Sequence, residues 1–431
     1  MPPIVPFAPY RYNLSIVNDP GAVIAPPYDV ISPARRAALL EADPHNVIQL
    51  ILPEGDSSTR YEHAAELLRS WIASGVLERE KRAAFFPYAQ TFIHPVSGER
   101  IERRGFVSLL RLSPFSAGEV LPHERTLSGP KADRLELMRS TAANLEAIFG
   151  VYRDPSGASS ARLAAICSSR EPIIRAVDGD GVEHRMWRAS EPQAIHDLTA
   201  DLATQQVFIV DGHHRYETAL DYQRIRRSEV GEGSGEQPFD WMMVFLAPTS
   251  DPGLLILPTH RVVRGLADFS ADALLAELRP HFHLVPYDSR AEALAALQAG
   301  RGRRPSFLLA SDGGMMLASL RDDADAGRLV DADRPAALRH LDVTILHDHI
   351  LNRLLGITPQ MQVEQRNLAY VKNASEALDA VSGGGAQLAV LMNEPTLEQV
   401  EAVAESGAVM PQKSTYFYPK LASGMLFNPL W

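Results

Sequence analysis

One short segment, Val210–Tyr216, combines the residue types best suited to chemistry in this chain of 431 residues. The apolar run Val207–Val210 predicts a strand, Gly212 interrupts it, and a helix is predicted over His214–Arg227. The first turn of a helix carries unpaired N–H groups and a positive dipole end, and it therefore binds a phosphate or a carboxylate. Gly212 also lets the backbone approach such an anion closely. The segment thus predicts a strand–turn–helix that handles phosphate.

The side chains of this turn strengthen the same prediction. His213, His214 and Arg215 supply one permanently charged donor and two titratable donors at one place. The purely structural alternative is a pair of capping histidines with Arg215 in a salt bridge. A zinc site is disfavoured, because neighbouring histidines on a helix point in different directions and the HExxH spacing is absent.

A second group of chemical side chains follows Leu121. Glu124 lies in a predicted loop beside His123, where a carboxylate can act as a base toward a hydroxyl or hold a divalent cation. Lys131 and Arg134 are one turn apart at a predicted helix start, so both can face one anion. The alternative is that these charges cap the helix and pair with each other.

A third group lies in the C-terminal run Met410–Lys420. Lys413, Ser414 and Thr415 match the end of a Walker A loop, but the upstream glycines are missing, so that interpretation fails. A lysine with two hydroxyls, flanked by three aromatic residues, still suits a phosphate or the edge of a nucleotide. The alternative is an aromatic edge strand with solvated lysines.

Five further residues are predicted to be inert. Cys167 is the only cysteine and lies in an apolar helix-like stretch, which predicts a buried thiol and excludes an internal disulfide. His260-Arg261 is predicted to be a surface pair. His347 and His349 are predicted to lie on the polar side of an amphipathic helix.

The elements that must position these residues are mixed in type. Ala25–Val30 is extended because each proline restricts the residue before it, and the rigid backbone can present Tyr28 and Asp29 to a substrate or a metal. Asn46–Leu52 is predicted to be a short strand, and Tyr61–Ser74 has helical spacing of its apolar residues.

The remaining pattern continues the alternation of strands and helices. Strands are predicted at Ala84–Ile93, Arg104–Leu112 and Trp241–Ala247, and a helix is predicted at Asp342–Leu354. We therefore expect a mixed α+β protein with three regions: an N-terminal α/β region at 1–115, a catalytic core at 116–230 and a C-terminal α/β domain at 237–431.

Composition limits the classes of function. The net charge of −11 argues against a general nucleic-acid binder, which needs clustered Lys and Arg. The N-terminus lacks the pattern of a signal peptide, and no apolar run approaches the ~20 residues that span a bilayer. A cytoplasmic protein without a membrane partner is expected. Neither a GxSxG nor a GxGxxG motif occurs, which removes the commonest hydrolase and dinucleotide-binding interpretations.

Four blocks of the sequence resemble a known family. Ala25–Val30, Pro122–Thr126, Asp211–Ala219 and Met410–Lys420 are similar to the recurring blocks of a bacterial family known as domain of unknown function 1015. The resemblance covers nearly the whole chain and keeps the order of the blocks. The family name itself implies no activity.

A more distant resemblance concerns the block at Gly212. With Arg215 it is similar to the Gly-x-x-Arg box of the ParB/sulfiredoxin fold, which implies a ParB/sulfiredoxin-like core. Members of that fold bind nucleotide phosphates with this box, and one of them is a free-serine kinase whose base is an upstream glutamate. Glu124 is the matching candidate. This chain departs from the fold in two ways: many residues separate Glu124 from Gly212 in the sequence, and the large C-terminal part has no counterpart in the small members. His213 replaces the sulfiredoxin cysteine, so that chemistry is excluded.

The resemblance implies a nucleotide-dependent phosphotransferase acting on a small hydroxyl compound, first of all free L-serine. ATP or ADP would be the cofactor, with Mg²⁺. The alternatives are a nucleotide-binding regulatory or partition-like protein and a small-molecule phosphohydrolase, and the oligomeric state is undetermined. The expected roles are catalysis by Glu124, His214 and Arg215; phosphate or nucleotide binding by Asp211, Gly212, His213, Lys131, Arg134, Lys413, Ser414, Thr415 and Lys420; substrate binding by Tyr28, Asp29 and His123; and metal binding, if any, by Glu124 and Asp211.

Overall fold

The chain folds as two compact units. The computed structural model describes residues 3–56, 59–124, 126, 128–231, 233–411 and 413–431. The first unit comprises residues 1–122, 126–255 and 419–431, and the second comprises 123–125 and 256–418. The second unit is therefore an insertion into the first, which resumes at Pro419. Both units contain helices and sheets, so the predicted mixed α+β class is confirmed.

The first unit contains twelve labelled strands and eight labelled helices before the insertion. The strands are β1 (Ile4–Val5), β2 (Tyr10–Tyr12), β3 (Leu77–Arg79), β4 (Phe86–Ile93), β5 (Arg100–Arg111), β6 (Val120–Leu121), β7 (Ala143–Asn144), β8 (Ile148–Tyr152), β9 (Ile174–Val177), β10 (Glu183–Met186), β11 (Val207–Asp211) and β12 (Trp241–Pro248). The helices are α1 (Pro20–Val23), α2 (Pro33–Ala42), α3 (Ile48–Ile51), α4 (Arg60–Ala73), α5 (Ser128–Thr141), α6 (Ala158–Ser168), α7 (Pro192–Leu202) and α8 (His213–Val230).

A nine-stranded mixed sheet forms the centre of the first unit. Its order is β6-β11-β8-β12-β5-β4-β10-β9, and β1 pairs with β5. The β6–β11 and β8–β12 pairs are parallel, and the other pairs are antiparallel. All eight residues of β12 are buried, as expected for a continuous apolar strand that is covered on both faces. The core includes Phe106, Ile209 and Tyr216, which join the sheet to α8.

The second unit is built on a six-stranded antiparallel sheet of order β15-β17-β16-β19-β14-β18. The strands of this sheet are β14 (His260–Val263), β15 (Phe282–Tyr287), β16 (Ser306–Ser311), β17 (Gly314–Leu320), β18 (Leu368–Val371) and β19 (Leu388–Met392). Two further strands, β13 (Leu255–Leu257) and β20 (Tyr416–Tyr418), pair with each other. The helices of the second unit are α9 (Ala271–Leu278), α10 (Arg290–Ala299), α11 (Asp342–Ile345), a π-helix (Leu346–Leu354), α12 (Pro359–Val363), α13 (Ala374–Ser382) and α14 (Leu397–Glu405).

The last thirteen residues, Pro419–Trp431, return to the first unit, and we call them the C-terminal strap. The strap contains the short strand β21 (Asn428–Pro429), which pairs with β7. Its backbone also pairs with the N-terminal part of the unit, at Ala25–Ser423 and Tyr10–Phe427. Five of its apolar side chains are buried: Leu421, Met425, Leu426, Phe427 and Leu430. The strap therefore completes the core of the first unit.

Most of the predicted elements are confirmed, including the strand before Gly212, the helix after it, and the Trp241–Ala247 strand. The strand predicted at Asn46–Leu52 is wrong, because this stretch forms helix α3. The side chain of Asn46 is fully buried, accepts from the N–H of Ile48 at 2.9 Å and donates to the carbonyl of Ala22 at 2.7 Å. A short apolar run that is buried throughout has no period that separates helix from strand.

The predicted regions differ from the compact units. Region 1–115 and all of region 116–230 except 123–125 lie in the first unit, because strands from both regions pair in its one large sheet. The predicted domain 237–431 is divided between the units: 256–418 belong to the second, and 237–255 and 419–431 to the first. Arg125 and Gln412, which belong to two of the family blocks, lie outside the described residues. Within the described residues, no helix combines the length and apolar character needed to cross a bilayer.

Deleting the C-terminal strap should unfold the first unit. Each of its five buried apolar side chains contributes about 1.5–3 kcal/mol by burial, and a domain has only about 5–15 kcal/mol in total. A chain ending at Tyr418 should therefore lose the cooperative thermal transition of the first unit, measured by calorimetry. The control is Trp431→Ala, which should change the midpoint little because Trp431 is 60% exposed. An unchanged transition in the truncated chain would contradict this role of the strap.

Candidate functional site

The turn between β11 and α8 lies where the sequence predicts it. Gly212 is the N-cap of α8 and has a φ of +90°. The register of β11 against β8 shifts between Ile209 and Asp211, so the strand is bulged directly before the turn. Such bulges redirect the side chain that follows them. A Cβ atom at Gly212 would lie 2.9 Å from Ile148 Cγ2 and 3.0 Å from Arg215 Nη2, so only glycine fits here.

Arg215 fixes this turn through hydrogen bonds that its buried side chain makes within the first unit. Its side chain is 9% exposed, and it donates to the carbonyl of Ala147 at 2.7 Å and to Asp211 Oδ2 at 2.8 Å. A second carboxylate, Glu146, lies 4.0 Å away. Burial alone would lower the pKa of Arg215, but Glu146 and Asp211 raise it, so the guanidinium stays charged. Both Nη atoms therefore serve to fix the geometry of the turn.

Lys420 of the C-terminal strap is the second cation on Asp211. Its Nζ bonds Asp211 Oδ1, and its carbonyl accepts from Gln90 Nε2 at 2.9 Å. Burial would raise the pKa of Asp211, but Lys420 and Arg215 outweigh burial and lower it. We call Asp211, Arg215 and Lys420 the ion cluster. It joins residues that are 209 positions apart in the chain.

The ion cluster does not fit a metal site built on Asp211. One carboxylate oxygen bonds Lys420 and the other bonds Arg215. A cation would have to displace one of these charges before it could bind. In the part of the chain that the structure describes, no group of three or more His, Cys, Asp or Glu residues is arranged to hold a metal ion.

Glu146 is a site residue that the sequence analysis missed. It is buried, and its Oε1 accepts from Ser423 Oγ of the strap at 2.9 Å. It also lines a small, mostly apolar cavity together with Tyr88, Met186 and Met243. A signal was available, because Glu146 is the only charged residue in the apolar run that leads into β8.

Arg103 is a second site residue that the sequence analysis missed, and its side chain binds the backbone of the strap. Its side chain is fully buried, donates to the carbonyl of Pro419 at 2.6 Å and also bonds Gln90 Oε1. Its guanidinium lies 4.6 Å from the centre of the Phe149 ring. Burial lowers the pKa of Arg103 to about 10, which still leaves it protonated at neutral pH. Arg103 thereby fixes the residue that precedes Lys420.

Tyr28 lies close to the ion cluster, as a substrate-binding prediction requires. The guanidinium of Arg134 lies 4.1 Å from the centre of the Tyr28 ring. Burial raises the pKa of Tyr28 to about 12, although Arg134 and Arg215 act in the opposite direction. Asp29 is exposed beside it and contributes to the electrostatic environment of Arg215.

Lys131 and Arg134 do not converge on one point. Lys131 Nζ lies 2.6 Å from Glu217 of α8, and Arg134 donates to Asp133 and, at 2.5 Å, to the carbonyl of Ile51. The expectation that both face a single anion is therefore not met in this conformation. Each of the two is held by a carboxylate of its own, Lys131 by Glu217 and Arg134 by Asp133.

His213 and His214 lie in the first turn of α8, where His213 is buried, and the remaining predicted site residues lie in the second unit. Glu124 pairs through its backbone with Met410, whose N–H donates to the carbonyl of His123 at 2.7 Å. A 2.8 Å hydrogen bond joins His123 Nε2 to Thr415 Oγ1. Lys413 is exposed and left-handed, with a φ of +56°. The second unit thus brings the His123-Glu124 block and the Lys413–Thr415 segment together.

Two predictions of inert surface residues are wrong. Arg261 and His260 are 0% and 4% exposed, because they lie on β14 in the interior of the six-stranded sheet. His347 and His349 are also buried, because they lie in the π-helix. The wider turn of a π-helix shifts the face that a pattern of 3.6 residues per turn would assign.

The fold and the turn at Gly212 define a mixed α+β protein of two units with a buried ion cluster at a strand–turn–helix. The chain belongs to the family described as protein of unknown function (DUF1015), whose model matches residues 4–344. The resemblance seen in the sequence is thereby confirmed. None of the curated proteins matches the chain.

Several solved structures are distantly similar. A mutant free serine kinase in complex with AMP has 11% identity and a TM-score of 0.35, covering 69% of this chain and 84% of that chain. A conserved hypothetical protein from Pyrococcus furiosus has 13% identity and a TM-score of 0.33, covering 70% and 90%. SbnI with C-terminal truncation from Staphylococcus aureus has 11% identity and a TM-score of 0.34, covering 75% and 87%. The family match, and not these similarities, identifies the chain.

Gly212→Ala should destabilise the first unit more than the same change at a matched glycine. Gly157 is also a left-handed helix N-cap, with a φ of +70°, but a Cβ there meets nothing within 4 Å. Gly157→Ala should therefore cost only the left-handed strain of about 1–2 kcal/mol. Gly212→Ala must in addition displace Arg215, and we expect a total of about 3 kcal/mol or more in chemical denaturation. Equal costs would show that Arg215 does not close the turn.

Lys420→Met should destabilise the first unit in a pH-dependent manner. The low folded-state pKa of Asp211 means that its contribution is present above the unfolded pKa of about 3.9 and is lost as the pH falls through the folded value. At pH 7 we expect a loss of up to about 3 kcal/mol, the lower end for a broken buried pair, because Arg215 remains. The difference from wild type should narrow below about pH 4. A pH-independent difference in denaturation experiments would contradict the ion cluster.

Proposed function

We propose that the chain is a nucleotide-dependent phosphotransferase that acts on a small hydroxyl compound, with free L-serine as the first candidate and ATP or ADP as the phosphate donor. The observation that carries this proposal is the turn at Gly212. There an 18-residue helix begins directly after a left-handed glycine, and its first turn lies beside the cations Arg215 and Lys420 that bind Asp211. Phosphoryl transfer needs mainly positioning and charge stabilisation, and such a turn supplies both.

The residues of the turn take different parts in this proposal. The first-turn amides of a helix point beyond its N-terminus and carry the positive end of the helix dipole, and in this proposal those of α8 bind the phosphate oxygens. His213 and His214 contribute ring donors from the same turn. Arg215 has both Nη atoms committed to Ala147 and Asp211, so it acts as a positioning residue and does not touch the phosphate. This changes the role expected from sequence, in which Arg215 was catalytic.

Lys420 of the ion cluster and Tyr28 are both partly exposed. The side chain of Lys420 is 14% exposed, and its strong pairing with Asp211 keeps its charge in place. Tyr28 is half-buried beside Arg134 and offers a neutral phenol to a substrate. We assign Lys420 to the phosphates and Tyr28 and Asp29 to the acceptor.

Glu124 is the proposed base, on the strength of the sequence resemblance. A base of this kind accepts the acceptor's hydroxyl proton as the oxygen attacks the terminal phosphate. Lys413, Ser414 and Thr415 belong to the same unit as Glu124 and are proposed to bind the nucleotide. Mg²⁺ would enter with the nucleotide phosphates and neutralise their charge, since Asp211 does not fit as its ligand.

Glu124→Gln should separate binding from turnover. The amide keeps the shape of the side chain but cannot take a proton, so we expect kcat to fall by at least about 100-fold. The nucleotide Kd, measured by calorimetry, should stay within twofold of wild type. The control is Glu364→Gln, an exposed glutamate of the second unit, which should leave both values unchanged.

The activity itself is tested by phosphorus NMR with ATP or ADP and a panel of free amino acids and small alcohols. A new phosphomonoester signal that depends on the acceptor supports phosphotransfer. Release of inorganic phosphate without an acceptor would instead indicate a phosphohydrolase. Nucleotide binding without turnover, accompanied by a salt-dependent shift of DNA on gels, would indicate the regulatory alternative.

A further inference from the structure

Arg261 is a fully buried cation whose hydrogen-bond acceptors are all neutral groups. It lies on β14, is 0% exposed, and lies 5.1 Å from the centre of the Tyr370 ring. Within the described part of the chain, it forms no ion pair with an aspartate or glutamate. Its guanidinium donates to the carbonyl of Thr259, to His347 Nε2 at 2.8 Å, to Met392 Sδ at 3.3 Å and to the carbonyl of Lys413 at 3.2 Å.

A charge in this setting does not favour stability. Burial removes the guanidinium from water, and no opposite charge compensates it. Burial lowers the pKa of Arg261 only to about 10, so the group stays charged at neutral pH. An apolar side chain of similar volume would fill the space without this cost. The benefit of Arg261 must therefore lie in the groups that it holds in place.

One of those groups is under backbone strain. Lys413 has a φ of +56°, a left-handed conformation that non-glycine residues adopt at a cost. Arg261 Nη2 donates to the carbonyl of this same residue. Two residues later, Thr415 Oγ1 bonds His123 Nε2, and Ser414 Oγ donates to the carbonyl of Pro411 at 2.5 Å. The Lys413–Thr415 segment is thus held at one end by Arg261 and at the other by His123.

The same contacts reach Glu124. Met410, just before the strained segment, donates its N–H to the carbonyl of His123 at 2.7 Å and pairs in parallel with Glu124. The imidazole of His123 is buried and lies against the ring of Phe417. Met410 and Thr415, which lie before and after the strained residue, therefore both set the position of His123, and with it that of the adjoining Glu124.

We propose that Arg261 is a positioning residue that keeps Lys413 in its left-handed conformation and, through Thr415 and His123, fixes the position of Glu124. The inference rests on the proposed function, in which Glu124 is the base. His347 supports it from the π-helix, because its Nε2 accepts from Arg261 and so must be unprotonated. The carbonyls of Thr259 and Lys413 and the imidazole of His347 together require a planar donor with several N–H groups, which lysine does not offer.

The test is Arg261→Met, which keeps the volume and removes the donors. We expect the variant to fold, to bind nucleotide more weakly because the Lys413–Thr415 segment loses its support, and to lose 10-fold or more in kcat at saturating nucleotide. Amide exchange at Met410, measured by NMR, should accelerate at least 10-fold because its acceptor on His123 becomes mobile. The matched control is Arg304→Met, an arginine of the same unit with 43% side-chain exposure, which should change neither quantity.

A second variant distinguishes positioning from general stability. In Arg261→Met/Lys413→Gly, glycine adopts the left-handed conformation without strain, so protection of the Met410 amide should return at least in part. A residue that only stabilised the fold would not be rescued by this change. If Arg261→Met fails to fold, Arg261→Lys is measured instead, with an intermediate acceleration expected. Unfolding of both variants would overturn the proposal.

Failure of this inference can be told apart from failure of the proposed function. If wild type transfers phosphate but Arg261→Met leaves kcat and the Met410 exchange rate unchanged, Arg261 is not a positioning residue. If wild type transfers no phosphate, yet Arg261→Met accelerates exchange and Lys413→Gly reverses it, the structural role of Arg261 stands and Glu124 loses its assignment as a base.

Discussion

The candidate site of the first unit depends on one largely buried carboxylate, that of Asp211, which two cations share. Asp211 would be costly to bury alone, and it is stable there only because Arg215 and Lys420 approach its two oxygens from different directions. Arg215 can lie where it does because residue 212 has no side chain. The glycine, the helix start and the C-terminal strap are therefore parts of a single electrostatic arrangement, and none of them would hold its place without the others.

The second unit uses the opposite arrangement, a buried cation without a carboxylate. Arg261 distributes its N–H groups over carbonyl, imidazole and thioether acceptors, so its charge is solvated by dipoles of the protein. Such solvation is directional, because each dipole must point at the guanidinium. The hydrogen bonds of Arg261 therefore restrain the backbone at its acceptors and contribute little to the free energy of folding. One of these acceptors is the carbonyl of the left-handed Lys413.

Local features of the fold could be predicted from sequence, and long-range pairings could not. The strand, glycine and helix at Val207–Arg227 follow from a short apolar run and a breaker, and they are confirmed. Glu146, Arg103 and Arg261 were missed or misjudged because each is made functional by a partner far away in the chain. The sequence around such a charged residue does not indicate which distant carbonyl or charged group will bind it. The insertion of the second unit was equally hidden, since Leu255 and Pro419 show no boundary pattern.

The insertion has a consequence for how the chain is made. A ribosome releases Asp211 and Arg215 long before Lys420, and every residue of the second unit is synthesised in between. Until residues 419–431 emerge, the large sheet lacks the strap and Asp211 lacks its second counter-charge. Contacts over such a separation form slowly. Residues 256–418 of the second unit are synthesised before the strap, so they can fold first, and the first unit closes around Asp211 only after Lys420 has been added.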